Sequence, residues 1–342
     1  MKHNKVTIKD IAKCLGVSTT LVSFALSESP KKHRVSDEMI ARIRKTAKEM
    51  DYLPNNAARS LRSGRSNTIG VILSDISNRF FADIARCIED KASQNGYTVL
   101  FGSTDENPEK LASLVKVFVN KGVDGLIIVP CEGAEKPVAD LVESGFPVVL
   151  IDRTFDNIDV SSVTLNNVKA TSIAVNELVR QGYRDIAFVS YHTGLTNILD
   201  REMGYRKAMN TARLADKIRV ENVDYADMTR ELSSLLPKLI SEGVDSLIFS
   251  TNRLAIEALI LFRAIGVKVP DNVAFIGFDG SETFAFNLYE RGISYIRQPV
   301  EQFGREAFNL LFEMVTEKKE NGVLNIELNP ELIKKESSIK VK

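Results

Sequence analysis
Apolar residues in the first 52 positions recur at helical spacing, whereas those beyond position 67 gather in short unbroken runs. Ile8, Ile11, Ala12 and Leu15 fall at intervals of three, four and seven, which puts them on one face of a short helix. Thr7 and Asp10 suit a capping box that opens it. Gly16 supplies a sharp turn, Val17 plugs the angle, and Ser18 is a good N-cap for a second helix. On that helix Val22 and Leu26 point inward, which leaves Thr19, Thr20 and Ser23 outside near its start. A third helix begins at Ser36-Asp37-Glu38, buries Ile40, Ile43 and Ala47, and ends near Asp51-Tyr52, with Pro54 as the stop. Residues 55–62 favour a helix but are too few to hold one alone, and 63–67 read as a linker.

From Thr68 the pattern changes. Thr68–Leu73, Thr98–Phe101, Gly125–Val129 and Val148–Ile151 read as strands, with helices at about 79–94, 108–121 and 136–143 between them. A second set follows at Ile186–Ser190, Ser246–Ser250 and Val273–Phe278, with helices near 168–181, 201–212, 227–241 and 253–264. Apolar strands joined by helical crossovers predict parallel sheets covered on both faces, hence two α/β lobes. Ligands bind such sheets at the carboxyl ends of the strands, which here face a cleft between the lobes.

Two short helices around a tight turn, with polar residues leading the second, are the geometry by which a helix-turn-helix offers side chains to the major groove. Charge agrees. The 342 residues carry 45 Lys and Arg against 45 Asp and Glu, yet residues 1–66 hold 14 against 6. A small basic module followed by a larger acidic one fits phosphate attraction at one end only. Cys14, Cys87 and Cys131 are odd in number and far apart, and His3, His33 and His192 are isolated, so neither a disulfide framework nor a metal site is expected. No secretory leader and no run of about 18 apolar residues is present, which predicts a cytoplasmic protein with no membrane partner. The phosphate-loop, dinucleotide, zinc-protease and nucleophile-elbow motifs are absent, so an enzyme is not expected.

The matching stretches are Thr7-Ile-Lys-Asp-Ile-Ala, Gly16-Val17-Ser18, Val22-Ser23 and Tyr52-x-Pro54-Asn55-x-x-Ala58-Arg59-Ser60-Leu61. They continue through Thr68-Ile-Gly-Val-Ile, Asp75-Ile-Ser-Asn, Phe80-Phe81-Ala82, Ile151-Asp152-Arg153, Arg201-x-x-Gly204-Tyr205, Gly277-Phe278-Asp279 and Gln298-Pro299. In this order they resemble the LacI/GalR family of bacterial transcriptional regulators over nearly the whole chain. The resemblance implies a small all-α helix-turn-helix DNA-binding domain. A hinge helix would join it to a two-lobed α/β core of parallel sheets, like the type I periplasmic binding proteins. It divides the chain into a headpiece (1–53), a hinge and linker (54–67), a first lobe (68–164 with about 298–325) and a second lobe (165–297 with about 326–342).

The resemblance also assigns roles. Thr7, Ser18, Thr19, Thr20, Ser23 and Phe24 match DNA-facing headpiece positions. The family often has Arg where this chain has Phe24, which either touches a thymine methyl or packs inward. Lys31, Lys32, His33 and Arg34 form a basic loop that either holds phosphates or stays solvated. Asn55, Ala58, Arg59 and Leu61 match the hinge helix, with Leu61 as the wedge that enters a minor-groove step. Paired hinges imply a homodimer on a near-palindromic double-stranded operator. Phe80, Phe81, Asp152, Arg201, Tyr225, Asn252, Asp279 and Gln298 match effector-contacting positions. One of the two phenylalanines is expected in the core, and Asp152 is open to pairing with Arg153 instead. No cofactor is implied, only a small-molecule effector, a sugar or sugar derivative. Asn252-Arg253 replaces the family's common Asn-Asp, and Asn166-Asn167 its usual Asp-Asn, which is compatible with an acidic ligand.

Overall fold
The computed structural model describes residues 6–26, 35–52, 64–279, 289, 291–317 and 322–340. It forms two compact units, Met1–Ser66 and Asn67–Lys342. In the first unit, α1 (Ile8–Leu15), α2 (Thr19–Ala25) and α3 (Asp37–Glu49) surround a small core in which Ile11, Val22, Ala25 and Ile43 are fully buried. The Asp10 carboxylate accepts hydrogen bonds from the Thr7 backbone N–H (2.8 Å) and hydroxyl (2.7 Å), which closes the start of α1 and holds that carboxyl below its ordinary pKa. Gly16 ends α1 in the left-handed conformation (φ 68°), where a side chain would be strained. Ser18 Oγ accepts from Leu21 N (3.1 Å) and starts α2.

The second unit begins with β1 (Thr68–Leu73), α4 (Arg79–Gln94), β2 (Thr98–Ser103), α5 (Pro108–Asn120), β3 (Gly125–Ile128), α6 (Glu135–Glu143), β4 (Val148–Ile151) and β5 (Ser162–Leu165). There follow α7 (Asn167–Arg180), β6 (Ile186–Tyr191), α8 (Thr196–Thr211), β7 (Arg219–Val223), α9 (Met228–Ser241), β8 (Ser246–Phe249), α10 (Asn252–Ile265) and β9 (Ala274–Phe278). The chain closes with β10 (Ser294–Arg297), α11 (Val300–Glu317), β11 (Asn325–Leu328) and β12 (Glu331–Ile333). One sheet runs β11-β5-β4-β3-β1-β2, parallel throughout. The other runs β12-β10-β9-β8-β6-β7, parallel except for β12. The central strands β3, β4, β8 and β9 are buried along their whole length, as parallel strands covered on both faces must be.

The chain crosses between the lobes after β5, after β10 and after β11. α7 packs on the second sheet, and α11 returns to pack on α4, β3 and β4. The last crossing lies later than expected. Residues 326–328 belong to β11, which pairs in parallel with β5, so they stay in the first lobe. Only β12 and the Glu336–Ser338 turn belong to the second, the turn held by Ser337 Oγ donating to the Phe275 carbonyl (2.7 Å). Five strands were not foreseen: β5, β7, β10, β11 and β12. They are short, and β7 and β11 lie at or beside sheet edges with exposed residues, so their apolar signal is weak.

The expected helix near 201–212 in fact begins at Thr196. Its buried face carries Asn197, Arg201, Gly204 and Tyr205, so polar groups interrupt the apolar stripe. Gly204 lets α8 lie against α7; a Cβ there would stand 2.2 Å from the Val168 carbonyl oxygen.

A candidate DNA-binding face and a candidate effector cleft
On α2, Thr19 and Thr20 are exposed in the first turn, beside the exposed N-cap Ser18. Short hydroxyls at the start of a helix can donate and accept at base edges or phosphates. Ser23 is half-exposed one turn further on. Phe24 is half-buried and packs on the core formed by Ile11, Val22 and Ile43, the inward alternative of the two. Thr7 is exposed and engaged with Asp10. Asn55, Ala58, Arg59, Leu61 and the basic loop at Lys31–Arg34 lie outside the described residues.

In the second unit the carboxyl ends of β1, β2, β3 and β4 face those of β6 and β8 across a cavity of about 740 Å³. Residues at or just past the carboxyl ends of these strands and of β7 put Ser74, Glu106, Glu132 and Arg153 on one wall and Tyr191, Tyr225, Asn252 and Arg253 on the other. Hydrogen bonds span the lobes. Asn252 Nδ2 donates to Asn78 Oδ1 (3.3 Å), and Asn197 Nδ2 to Asp152 Oδ2 (3.1 Å). Glu132 Oε2 accepts from Gly194 N (3.1 Å) and Thr193 Oγ1 (3.3 Å).

Of the eight effector positions expected on the cleft, Phe81, Tyr225 and Asn252 line the cavity. Phe80 is the core phenylalanine, edge-on to Phe303 with centroids 5.8 Å apart. Asp152, Arg201, Asp279 and Gln298 do not line the cavity; Asp152, Arg201 and Gln298 are each 3% exposed, Asp279 is half-buried, and internal partners claim most of their polar atoms. Arg201 donates from Nε to Asn167 Oδ1 (2.8 Å) and from Nη1 to the Ser250 carbonyl (2.6 Å), with its guanidinium 3.8 Å above the Phe278 ring. Gln298 Nε2 donates to Asp279 Oδ2 (2.8 Å).

Desolvation shifts the titration of this polar layer. Burial pushes the Asp279 carboxyl up to about 7, with Arg201 and the Gln298 bond pulling it down. Burial also raises Asp152 against the pull of Arg153 and Arg201. It lowers Arg201, against the carboxylates of Asp152 and Asp279. Asp152 (φ 69°) and Asp279 (φ 52°) both hold a left-handed backbone just past the ends of β4 and β9, a strained arrangement typical of functional loops. Asp152 Oδ1, Asn197 Oδ1 and Gln298 Oε1 are buried without hydrogen-bond partners among the described residues.

Several cavity groups escaped sequence reasoning. Glu106 grips Arg153 with two bonds of 2.8 Å, and Glu132 bridges the lobes. Asn78, Glu106 and Glu132 all lie within a few residues of the carboxyl end of a parallel strand, so the strand-end rule could have found them. Asn197 sits inside a helix and carried no such signal. Asp152 does contact Arg153, at 3.3 Å from its Nε. Among the described residues no group of His, Cys, Asp and Glu could hold a metal ion, and no helix is long and apolar enough to cross a membrane.

Comparison with known proteins agrees with this geometry. Residues 66–336 match the profile described as periplasmic binding proteins and sugar binding domain of the LacI family, and residues 7–55 match that of bacterial regulatory proteins, lacI family. The repressor PurR of Histophilus somni is 30% identical over 97% of this chain and 98% of its own length. The ribose operon repressor of Halalkalibacterium halodurans is 30% identical over 97% of each chain. In fold, the lac repressor dimer bound to operator and the anti-inducer ONPF superposes with a TM-score of 0.83 at 21% identity, covering 98% of this chain and 100% of that one. A CelR–cellobiose complex gives 0.68 at 22% identity, over 97% and 100%.

Proposed function
The chain belongs to the LacI family of bacterial regulatory proteins, and on that premise we propose how its parts divide the work. It is a DNA-binding transcriptional regulator rather than an enzyme. It acts as a homodimeric repressor in the cytoplasm, on a near-palindromic operator read by Thr19, Thr20 and Ser23. Asn55, Ala58, Arg59 and Leu61 supply the hinge contacts, with Leu61 as the minor-groove wedge. It needs no cofactor. A sugar or sugar derivative is the effector, and the cleft between the lobes is its site.

One observation carries the reading. Across the cavity the lobes are tied by polar bridges, Asn252–Asn78 and Glu132–Thr193. A polyhydroxylated ligand entering there exchanges bonds with the same groups and so has different affinities for the closed and opened arrangements. That difference is what lets a ligand shift a conformational equilibrium. The coupling is reciprocal: an effector that weakens operator binding must itself bind less tightly to the operator complex.

Selection of DNA from a random pool at fixed moderate salt, with and without a sugar mixture, tests this. Enrichment of a short near-palindrome whose recovery changes with the mixture is expected. Salt-sensitive binding with no enriched sequence would overturn sequence-specific reading. Leu61→Ala is expected to lower operator affinity and bending while ligand affinity stays nearly intact; unchanged affinity and bending would remove Leu61 from the hinge role.

A further inference from the structure
The cations around the cavity are unevenly paired. Arg153 is closed by Glu106 through two bonds of 2.8 Å, and Arg79 is paired with Asp83 at 3.0 Å. Arg253 has no carboxylate partner among the described residues; Glu257, one turn further along α10, also lines the cavity but stays out of ion-pair range. The Arg253 guanidinium instead lies over the Tyr225 ring, 4.5 Å from its centroid, and donates from Nη1 to the Tyr225 hydroxyl. Tyr191 braces that ring edge-on at 5.3 Å. A guanidinium has five N–H donors in a rigid fork, and the stacking fixes its direction while leaving donors for an oxyanion.

The ends of helices add to this. Asn78 and Arg79 at the start of α4, Leu195 before α8, Met228 at the start of α9 and Asn252 at the start of α10 all line the cavity. Each start carries a partial positive charge and N–H groups without intrahelical acceptors. α8 and α9 are not closed by a side chain of their own N-cap residues, Leu195 and Asp227. On the opposite wall Ser74 Oγ, in a residue 1% exposed, lines the cavity without a hydrogen-bond partner. Asp75, Glu106, Glu132 and Glu257 also line the cavity, but the converging helix starts and the exposed Arg253, without a counter-charge among the described residues, favour an anionic group beside Arg253, and the unpartnered hydroxyl favours a polar guest.

We propose that the effector is an anionic sugar derivative, its carboxylate or phosphate seated against Arg253 and its hydroxyls directed to Asn252, Ser74 and Glu132. This rests on the reading of the cleft as a sugar site. Titration calorimetry on the full-length protein with glucuronate, glucose 6-phosphate and glucose, and with galacturonate and galactose, tests it. At least one anion is expected to bind about tenfold more tightly than its neutral parent, the difference made by one charge-assisted pair. The carboxylate and phosphate arms separate the two anions. In Arg253→Gln that ratio is expected to fall to about one, and in Arg253→Lys to an intermediate value, with melting curves run on each variant to establish folding. Neutral sugars binding as well as the anions would overturn the proposal and leave the sugar site standing. An anion preference undiminished in folded Arg253→Gln would overturn it as well. Silence from every sugar would remove both the proposal and the hexose-site reading.

Discussion
The two lobes fold polar groups of different electrostatic character near one cleft. In the first lobe the buried guanidinium of Arg153 is closed bidentately by Glu106, also donates to the Pro130 carbonyl (3.0 Å), and lies beside Asp152. Burial opposes its charge, but these carboxylates outweigh burial and hold its pKa above the ordinary value. In the second lobe the buried guanidinium of Arg201 has amide, carbonyl and aromatic partners, and its pKa falls. The carboxyls divide in the same way. Asp152 has Arg153 at 3.3 Å, whereas among the described residues Asp279 is bonded to a neutral amide, Gln298. A parallel sheet delivers polar residues to its carboxyl edge whatever the lobe, but their protonation depends on which partners fold beside them.

The largest effect should come from the paired side. Arg153→Ala leaves Glu106 and Asp152 without their cation and is expected to cost about 3–5 kcal/mol in urea unfolding. Arg201→Met removes a charge that no carboxylate among the described residues pairs with, and about 1–3 kcal/mol is expected, the loss of its hydrogen bonds and ring contact. A larger loss from Arg201→Met than from Arg153→Ala would reverse the contrast.

Asp279 sharpens the contrast through pH. Its carboxyl moves from an ordinary value of 3.8 to about 7 on folding. The folded state therefore holds a proton that the unfolded chain has released, and stability falls as pH rises between about 4 and 7. Asp279→Asn should flatten that slope and gain about 1–4 kcal/mol at pH 8, read from melts across pH. Asp152→Asn should gain less, because it also gives up the contact with Arg153. Equal gains would mean that the lobes do not differ.

The smallest stability effect is expected at the exposed bridge. Glu132→Ala removes the contacts to Gly194 and Thr193 and should change stability by less than about 1 kcal/mol. Its effect should appear in lobe separation, as a larger radius of gyration in ligand-free solution scattering. An unchanged radius would take Glu132 out of the closing contacts.

Legibility followed the kind of interaction. α1, α2 and α3 were readable because apolar period, cap residues and a turn glycine are all local, and each agreed with the others. α8 was half-read because Asn197 and Arg201 occupy the buried face where a pattern search expects Leu or Ile. In the cleft, Phe81, Tyr225 and Asn252 of the resemblance line the cavity, whereas Asp152, Arg201 and Gln298 are buried off its wall and Asp279 is half-buried. Matching positions conveyed which residues gather at the strand ends, not which of them a neighbour covers.

From its sequence alone this protein is a basic helix-turn-helix unit on a two-lobed parallel core, because helical period, strand runs and turn residues are short-range properties of the chain. Tertiary structure decided the rest. Arg153 meets Glu106 from 47 residues away, Arg201 meets Asn167 from 34, and Gln298 meets Asp279 from 19. Desolvation and Coulomb attraction depend on distances in space, and no periodicity encodes those distances before the sheets have formed.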